Sequence, residues 1–566
     1  MRKSRLLLLL AAVLDAAYVA ALPTRARVLP PLPASAAPIH GAIHVHSRVS
    51  DGTGTVDTIA AAAARAGLNF VILTDHGDGT RKPDPPAYHN GVLVIDAVEV
   101  STEGGHVVGL GLGSESPYPL AGEPRDVVDD IVRLGGFAIA AHPGSAKPEL
   151  QWIDWNVPIS GLEWLNADSE WRDESGWSLL HALLTYPARG AESVATLLDR
   201  PSAVLARWDD LTKTRRIAGV AALDAHARIG MRSVGEPYDS RVVLPIPSYE
   251  AMFRTFSIAL PGVTLRNDAG RDAAAVLAAV REGRLYSRID SVAGPGALTF
   301  TARSGRNVAQ GGEVLALDGP VTLRVETIGP PGSRVAILRN GAEIRSPDGT
   351  PIEDTEPAEP AVYRVEVRLP GAPGTPPVPW LVSNPIYVGR SAAATAALPA
   401  AAKATAAESL YDNGEASGAK TEHSEQAQGV VDVIPAVEGG RQLLFRYALG
   451  GRPSEAPYAA MTFPAMHAAQ FDRLAFSARA DHPMRLTVQL RVPGGQAGER
   501  WQRSVYLDET TRTITIPFSE MTSVGRRRTG PPPLEAIDSL LLVVDTVNTK
   551  LGGNGTVWLD DLRFER

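Results

Sequence analysis

Ile43-His44-Val45-His46-Ser47-Arg48-Val49-Ser50-Asp51-Gly52 is the stretch on which the reading of this chain turns. Its two histidines close an apolar run over residues 39–45. On a strand, residues two apart share a face, so His44 and His46 present two imidazoles to one point. Asp51 lies in a Ser-Asp-Gly turn, from which its carboxylate swings back to the same place. Further on, Phe70-Val71-Ile72-Leu73-Thr74-Asp75-His76 is a second buried strand that ends in a histidine. Imidazole with carboxylate is a donor set for zinc, manganese or iron. A lone His-x-His is more often an ordinary strand pair; repetition changes that weighting. Of twelve histidines, nine lie within residues 40–226, most at the C-terminal end of a strand-like run.

From residue 39 to about 290 short apolar strands alternate with helical segments. The pattern predicts strands at 41–46, 69–74, 91–100, 105–112, 136–141, 161–165 and 217–223. It predicts helices at 55–65, 125–134, 178–184, 192–213 and 272–282, several closed by glycine. Such alternation means a parallel sheet or barrel, whose chemistry gathers at the C-terminal strand ends. The candidates follow that rule: His44, His46, His76, Glu99, His142, Asp224 and His226 end strands, and His106 opens the segment after Gly104-Gly105.

His44-x-His46, Asp51-Gly52, Thr74-Asp75-His76, Glu99, His106, His142-Pro143 and Asp224-x-His226 resemble the motifs of the PHP (polymerase and histidinol phosphatase) superfamily. Within it the chain is most similar to the secreted or periplasmic members of the carbaryl-hydrolase type. The resemblance, over about residues 39–290, implies an α/β chain with a distorted (β/α)7 PHP barrel; past residue 292 the pattern turns to strand after strand, which reads as two β-sandwich domains. The resemblance also implies two or three divalent metal ions (Mn, Zn or Fe) held by His44, His46, Asp51, His76, Glu99, His106, His142, Asp224 and His226. A hydroxide bridging those metals would be the nucleophile, with Glu99 the bridging carboxylate. Asp75 is placed either to fix an imidazole or to cap the turn after its strand. Arg48 and Lys147 lie just past ligands, as partners for a phosphoryl oxygen or as solvated surface charges. His40, His89 and His181 fit no motif and read as structural or surface residues.

Five of the nine tryptophans fall within residues 151–177: Trp152, Trp155, Trp164, Trp171 and Trp177. They read as core or lid packing, with one or two available as a flat wall for an aromatic group. Glu163 and Asn166 end a strand, which directs them toward substrate.

The chain of 566 residues carries net charge −8 and no long basic run, which argues against nucleic acid as a partner. With no cysteine, disulfides and thiolate ligands are both excluded. Met1-Arg2-Lys3-Ser4-Arg5 precedes an apolar run at 6–14, then small residues with possible cleavage after Ala21 or Ala36. This reads as a secretory signal peptide, hence a periplasmic or secreted protein with no membrane span in the mature chain. The alternative is an uncleaved anchor at 6–22.

The domains expected are a signal peptide and tether (1–38), the metallohydrolase barrel (39–292), a small β-sandwich (293–390), an Ala-rich linker (391–407) and a jelly-roll-like β-sandwich (408–566). The ending Val557-Trp558-Leu559-Asp560-Asp561-Leu562-Arg563-Phe564 resembles the last strand of galactose-binding-like jelly rolls. That suggests carbohydrate contact, with Trp501 and Tyr506 as the stacking candidates. The first function expected is an exported phosphoesterase acting on a small-molecule phosphate ester. A site of several cations gains most when negative charge spreads over several oxygens, as in phosphoryl transfer. Hydrolysis of carboxylic or carbamic esters at the same site, and surface carbohydrate binding, stand as alternatives.

Overall fold

A computed structural model describes residues 2–33, 37–228, 244–389, 404–412, 414, 418–436, 439–452, 455–494, 498–524 and 530–566. The linker expected at 391–407 lies mostly outside these residues. The chain separates into two compact units. One comprises Met1–Gly77, Pro83–Ser114 and Ile131–Thr395; the other comprises Asp78–Lys82, Glu115–Asp130 and Ala396–Arg566.

The first unit is mixed α/β. Ile39–Val45 pairs in parallel with Phe70–Leu73, which pairs in parallel with Val92–Asp96. The helix Val56–Ala66 joins the first two; Thr55 caps its start by accepting from Thr58 N, and Gly67 closes it at φ 83°. A second sheet runs in the order Ala218–Ala222, Gly161–Asn166, Phe137–Ala140, Gly105–Leu110, Val98–Thr102. Parallel bridges Val45↔Ala225 and His76↔Glu99 join the two sheets at the end that carries the histidines. Leu223 N donates to Ile43 O at 3.0 Å beside the first bridge. Seven strands thereby follow one another in a ring at that end. Ile43, Phe70, Ile72, Leu93, Val108, Ile139, Val220 and Ile258 fill the core beneath. Removing a ring such as that of Phe70, fully buried, costs about 3–5 kcal/mol.

Two sequence expectations change here. The strand expected at 91–100 is two strands, Val92–Asp96 and Val98–Thr102, in different sheets. Alternating apolar residues continue through the break, so periodicity alone does not reveal it. The helix expected at 192–213 is also two, Gly190–Ala195 and Ser202–Thr212. Pro201 has no N–H to continue a helix and stands at the start of the second.

Residues past 293 continue the first unit. Leu381–Ser383 pairs with Tyr286–Arg288, which pairs with Ser257–Leu260, which pairs with Ile39–Val45. One hydrogen-bonded sheet therefore runs from the histidine-bearing strand into the β-rich segment. Arg364, 2 % exposed, forks onto Asp209 at 2.6 and 2.8 Å and so ties the Ala361–Arg368 strand to the Ser202–Thr212 helix. At the other end, Arg27–Val28 pairs in parallel with Ala293–Gly294. Among the described residues no helix is long and apolar enough to cross a membrane.

The second unit is a sandwich of two six-stranded sheets. Its last strand, Asn554–Glu565, lies between Arg441–Ala448 and Arg473–Ala480. Trp501 is 3 % exposed in the core, with Nε1 donating to Gly530 O at 2.9 Å. It is therefore a packing residue and not the stacking platform expected of it. Tyr506 is half-buried, with the Arg512 guanidinium 5.6 Å from its ring centre. The segment Glu115–Asp130 is built into this unit. Arg485, 4 % exposed, donates to Asp130 at 2.8 and 2.7 Å and to Asp126 O at 2.7 Å. Tyr118 donates to Asp130 at 2.9 Å, and Asn548 to Pro119 O at 3.0 Å.

Candidate metal centre

The Ile39–Val45 strand shifts register against its neighbour between Ile43 and Val45. His44 sits in that bulge at φ 64°. A bulge re-aims a side chain, and here it sets the His44 and His46 rings 5.1 Å apart, both with no exposed surface. His142 at φ 30° and Asp224 at φ 49° also occupy the left-handed region, as does Ala227 at 52°. Such conformations are costly for side-chain-bearing residues, and they gather at functional sites.

Glu99 is the centre of the cluster. Its Oε1 lies 2.8 Å from both His106 Nδ1 and His142 Nε2. Its Oε2 lies 3.1 Å from His44 Nε2, 3.3 Å from His46 Nε2 and 3.2 Å from His76 Nδ1. Burial alone pushes a carboxyl up, but His76, His44 and His106 more than reverse this and hold Glu99 well below the usual range. Asp224 Oδ1 approaches His44 Nε2 at 3.4 Å and His46 Nε2 at 3.2 Å. Asp51 Oδ1 approaches His226 Nε2 at 3.1 Å and His46 Nδ1 at 3.5 Å. Burial raises Asp51, yet the hydrogen bond from His226 and the imidazole charges bring it down to about 2.

All nine residues expected to be ligands fall in this one cluster, as four groups: His46, Asp51, His76 and His226; His44, His46 and Glu99; His44, His142 and Asp224; and His76, Glu99 and His106. Within each group the donor atoms lie within 4.8 Å of one another. His46 Nε2 is fully buried and makes no hydrogen bond, although two carboxylate oxygens lie 3.3 and 3.2 Å away. A buried polar atom without a partner is costly, and a lone pair facing two carboxylates suits a cation between them. The residues present therefore fit divalent metal ions.

The imidazoles are held from behind. His44 Nδ1 donates to Glu163 Oε1 at 2.6 Å, which leaves Nε2 to face Glu99 and Asp224. Glu163 Oε2 accepts from His142 N at 2.7 Å and from Asn166 Nδ2 at 2.8 Å. Glu163 and Asn166 thus lie behind the histidines and do not face substrate. His142 Nδ1 donates to Leu150 O at 3.0 Å, and His226 Nδ1 to Asp224 O at 2.9 Å, so each presents Nε2. A carboxylate or carbonyl behind a ligating imidazole fixes its tautomer and raises its basicity.

Asp75 is directed to the turn. Its four hydrogen bonds come from Ser47 N at 2.8 Å, Ser47 Oγ at 2.7 Å, Ser50 N at 3.1 Å and Ser50 Oγ at 2.6 Å. It therefore fixes the loop that delivers Asp51, and not an imidazole. A Cβ on Gly52 would stand 2.1 Å from His46 O, so only glycine lets this turn fold back against the strand end. Arg48 is exposed and donates from Nε to Thr53 O at 3.0 Å, within its own loop. Among the described residues the cation that reaches the cluster is Arg228, whose Nη2 lies 2.6 Å from Asp51 Oδ2. It follows Asp224-x-His226 by two positions, the same placement that drew notice to Arg48. Lys147 is half-buried on the loop after His142.

His40, His89 and His181 stay outside the cluster; His89 pairs with Asp57 at 2.8 Å and His181 with Ala21 O at 2.7 Å. Trp152 and Trp164 are each 1 % exposed, and Trp164 Nε1 donates to Ser287 at 2.9 Å. These two are core residues. Trp171 and Trp177, at 40 % and 80 % exposed, stand in solvent.

No family model matches the chain. It is 29 % identical over 144 residues to an uncharacterized protein of Methanocaldococcus jannaschii, covering 22 % of this chain and 80 % of that one. Over a shorter stretch of 87 residues it is 39 % identical to the 3',5'-nucleoside bisphosphate phosphatase of Chromobacterium violaceum, covering 14 % of this chain. The chain spans 30 % of that phosphatase's length. Among solved structures it is similar to the family 11 carbohydrate-binding module of a Clostridium thermocellum cellulase, at 16 % identity and TM-score 0.24, over 29 % of this chain and 96 % of the module. An exo-beta-agarase matches at 13 % identity and TM-score 0.21, over 28 % of this chain and 25 % of that one.

One shifted carboxyl lies apart from the cluster. Glu170 is 6 % exposed, and burial, with the charges of Asp199, Asp173 and Glu174, lifts it to about 8 against the pull of a hydrogen bond from Asp199 N. A folded pKa above the unfolded value means stability that is complete below about pH 4.5 and lost as pH rises toward 8. Glu170→Gln keeps an acceptor for Asp199 N and removes the charge. It should raise thermal stability by up to about 3 kcal/mol at pH 7 and leave it nearly unchanged at pH 4. Calorimetry across that range checks the sign; a variant equally destabilised at both pH values contradicts it.

Proposed function

We propose that the protein is an exported, metal-dependent hydrolase of the PHP type acting on a phosphate ester. The observation that carries this reading is Glu99, a buried carboxylate contacted by five imidazoles within 2.8–3.3 Å. A buried carboxylate ringed by imidazoles is a donor set for divalent cations. The seven-strand ring and the short stretch related to a bisphosphate phosphatase support the same reading. Bound divalent ions of the Mn, Zn or Fe class would supply an activated water and neutralise charge on substrate oxygens.

The chain's own residues then have separable tasks. His44, His46, Asp51, His76, Glu99, His106, His142, Asp224 and His226 hold the ions. Glu163 and the carbonyls of Leu150 and Asp224 keep three imidazoles in the ligating tautomer. Arg228 holds one oxygen of Asp51, leaving Oδ1 toward the imidazoles, and adds a guanidinium charge beside the cluster. That cation favours an anionic substrate over a neutral carbamate or carboxylic ester. Burial of Trp152 and Trp164 removes two candidates for an aromatic wall. For carbohydrate binding by the second unit, Trp501 is enclosed, and Arg479 covers Trp558 at 3.7 Å.

The test is a panel of p-nitrophenyl phosphate, a phosphodiester, a carboxylic ester and a carbamate. The highest kcat/KM should fall on a phosphate ester, and Arg228→Met should lower it about 10- to 100-fold, with weaker inhibition by inorganic phosphate. Strong carbamate turnover without phosphatase activity, indifferent to Arg228→Met, refutes the substrate class while leaving the metal centre intact. Export is tested by sequencing the N-terminus of the native protein.

A further inference from the structure

Three of the segments that carry candidate ligands meet at one phenol. Tyr249 is buried and opens the short helix Tyr249–Phe253, behind Ser248, whose Oγ accepts from Ala251 N at 3.2 Å. Tyr249 Oη donates to His46 O at 2.7 Å and accepts from Thr53 N at 3.0 Å and Gly54 N at 3.1 Å. His226 O stands 3.3 Å from it. One proton given and two accepted use the hydroxyl fully. The phenol thereby touches the backbone of His46, of the loop just past Asp51, and of His226.

Both sides of that contact are fixed. Arg65 Nε donates to Glu250 Oε2 at 2.6 Å and Arg254 donates to Arg65 O, which pins the tyrosine's helix to the end of Val56–Ala66. The Phe253 ring, itself buried, lies 6.2 Å from the phenol ring. On the other side the loop closes onto the ring. A Cβ on Gly52 would stand 2.7 Å from Tyr249 Oη, and one on Gly54 would stand 2.7 Å from Cε2. Thr53 tightens the same junction: its N also donates to His226 O at 3.1 Å, and its Oγ1 to Ala227 O at 3.2 Å.

The side chains that leave this junction face one another. The His46 and His226 rings stack at 4.1 Å with 11° between their planes, and Asp51 Oδ1 reaches both. With His76 these three make up one of the four donor groups. We propose that Tyr249 is a positioning residue, which sets the spacing of His46, Asp51 and His226 and with it the affinity of that one group for its ion. The proposal rests on the reading that the cluster holds metal. Its effect is local. The groups His44–His142–Asp224 and His76–Glu99–His106 contain none of the three residues. Tyr249 meets main chain only at this junction, so it acts by placing donor atoms and not by touching them. Loss of a group that orients a metal ligand weakens the metal about 10- to 100-fold.

The test is a calorimetric titration of manganese(II) into the chelator-stripped full chain. Tyr249→Phe should weaken one ion about 10- to 100-fold and leave the others as they are in the unaltered chain. Thr53→Ala, a milder change that cuts the Oγ1 bond to Ala227, should weaken the same ion several-fold. Phe253→Leu loosens the packing of the same helix but keeps the phenol; it should lower the melting temperature and leave every ion unchanged. An unaltered chain that takes up no manganese, zinc or iron overturns the metal reading itself. An unaltered chain that binds its ions, beside Tyr249→Phe and Thr53→Ala variants that bind them equally well, overturns the role of Tyr249 alone. So does an equal weakening of every ion in Tyr249→Phe and Phe253→Leu, which makes the tyrosine an ordinary packing residue.

Discussion

Replacing His44 and His46 together by alanine should reduce kcat/KM by about 10⁴-fold or more, to the level of the uncatalysed reaction. Both Nε2 atoms face Glu99 Oε2, at 3.1 and 3.3 Å, and both face Asp224 Oδ1, at 3.4 and 3.2 Å. His44 also occupies Glu163 Oε1. The double variant therefore removes both imidazoles that Glu99 and Asp224 share and leaves Glu163 Oε1 without the His44 ring. Bound metal should fall with activity. Elemental content measured beside far-ultraviolet circular dichroism separates loss of the centre from loss of the fold. Retained activity in a folded double variant contradicts the assignment of these residues.

A chain ending near Val388 should lose most of its hydrolysis and melt at a lower temperature. The Ala-rich run suggests a last domain that folds and functions apart, in which case the shortened chain would keep its activity. The structure points the other way. Asp78–Lys82 and Glu115–Asp130 are built into the second unit. Arg485 is the buried partner of Asp130 and of the Asp126 carbonyl, and Asn548 holds the Pro119 carbonyl. Removing one side of a buried ion pair costs about 3–5 kcal/mol. The first of these segments begins two residues after His76, so disorder there reaches a ligand directly. Arg485→Met in the full chain should reproduce part of the loss of stability. Full activity and an unchanged melting temperature in the shortened chain would show that the two segments hold their conformation unaided.

Much of the site was legible because its residues end strands. A histidine or acid after a short apolar run is visible in one dimension, and His44, His46, His76, His142, Asp224 and His226 all announce themselves that way. What periodicity cannot register is a change of register. The bulge at His44 and the break between Asp96 and Val98 leave the apolar pattern untouched, yet they decide where His44 and Glu99 point. Long-range pairing is equally invisible. Glu163 meets His44 across 119 positions and Arg228 meets Asp51 across 177. The requirement that a ligating imidazole have an acceptor behind it moves Glu163, a strand-end acid expected to face substrate, to a place behind His44. Adjacency to ligands suggests chemical tasks for Asp75 and Arg48, but Asp75 is taken up by the loop of Ser47 and Ser50 and Arg48 by its own loop. Tryptophan count says little about exposure: Trp152, Trp164 and Trp501 are enclosed, whereas Trp177 projects outward from a helix without Asp, Glu, Lys or Arg.

Metal in this cluster is measured by elemental analysis of the purified chain. Two or three first-row transition-metal ions per chain are expected, lost on chelation together with hydrolysis, with both recovered when manganese, zinc or iron is returned. A chain free of metal that hydrolyses its substrate at full rate in the presence of chelator would contradict the metal assignment.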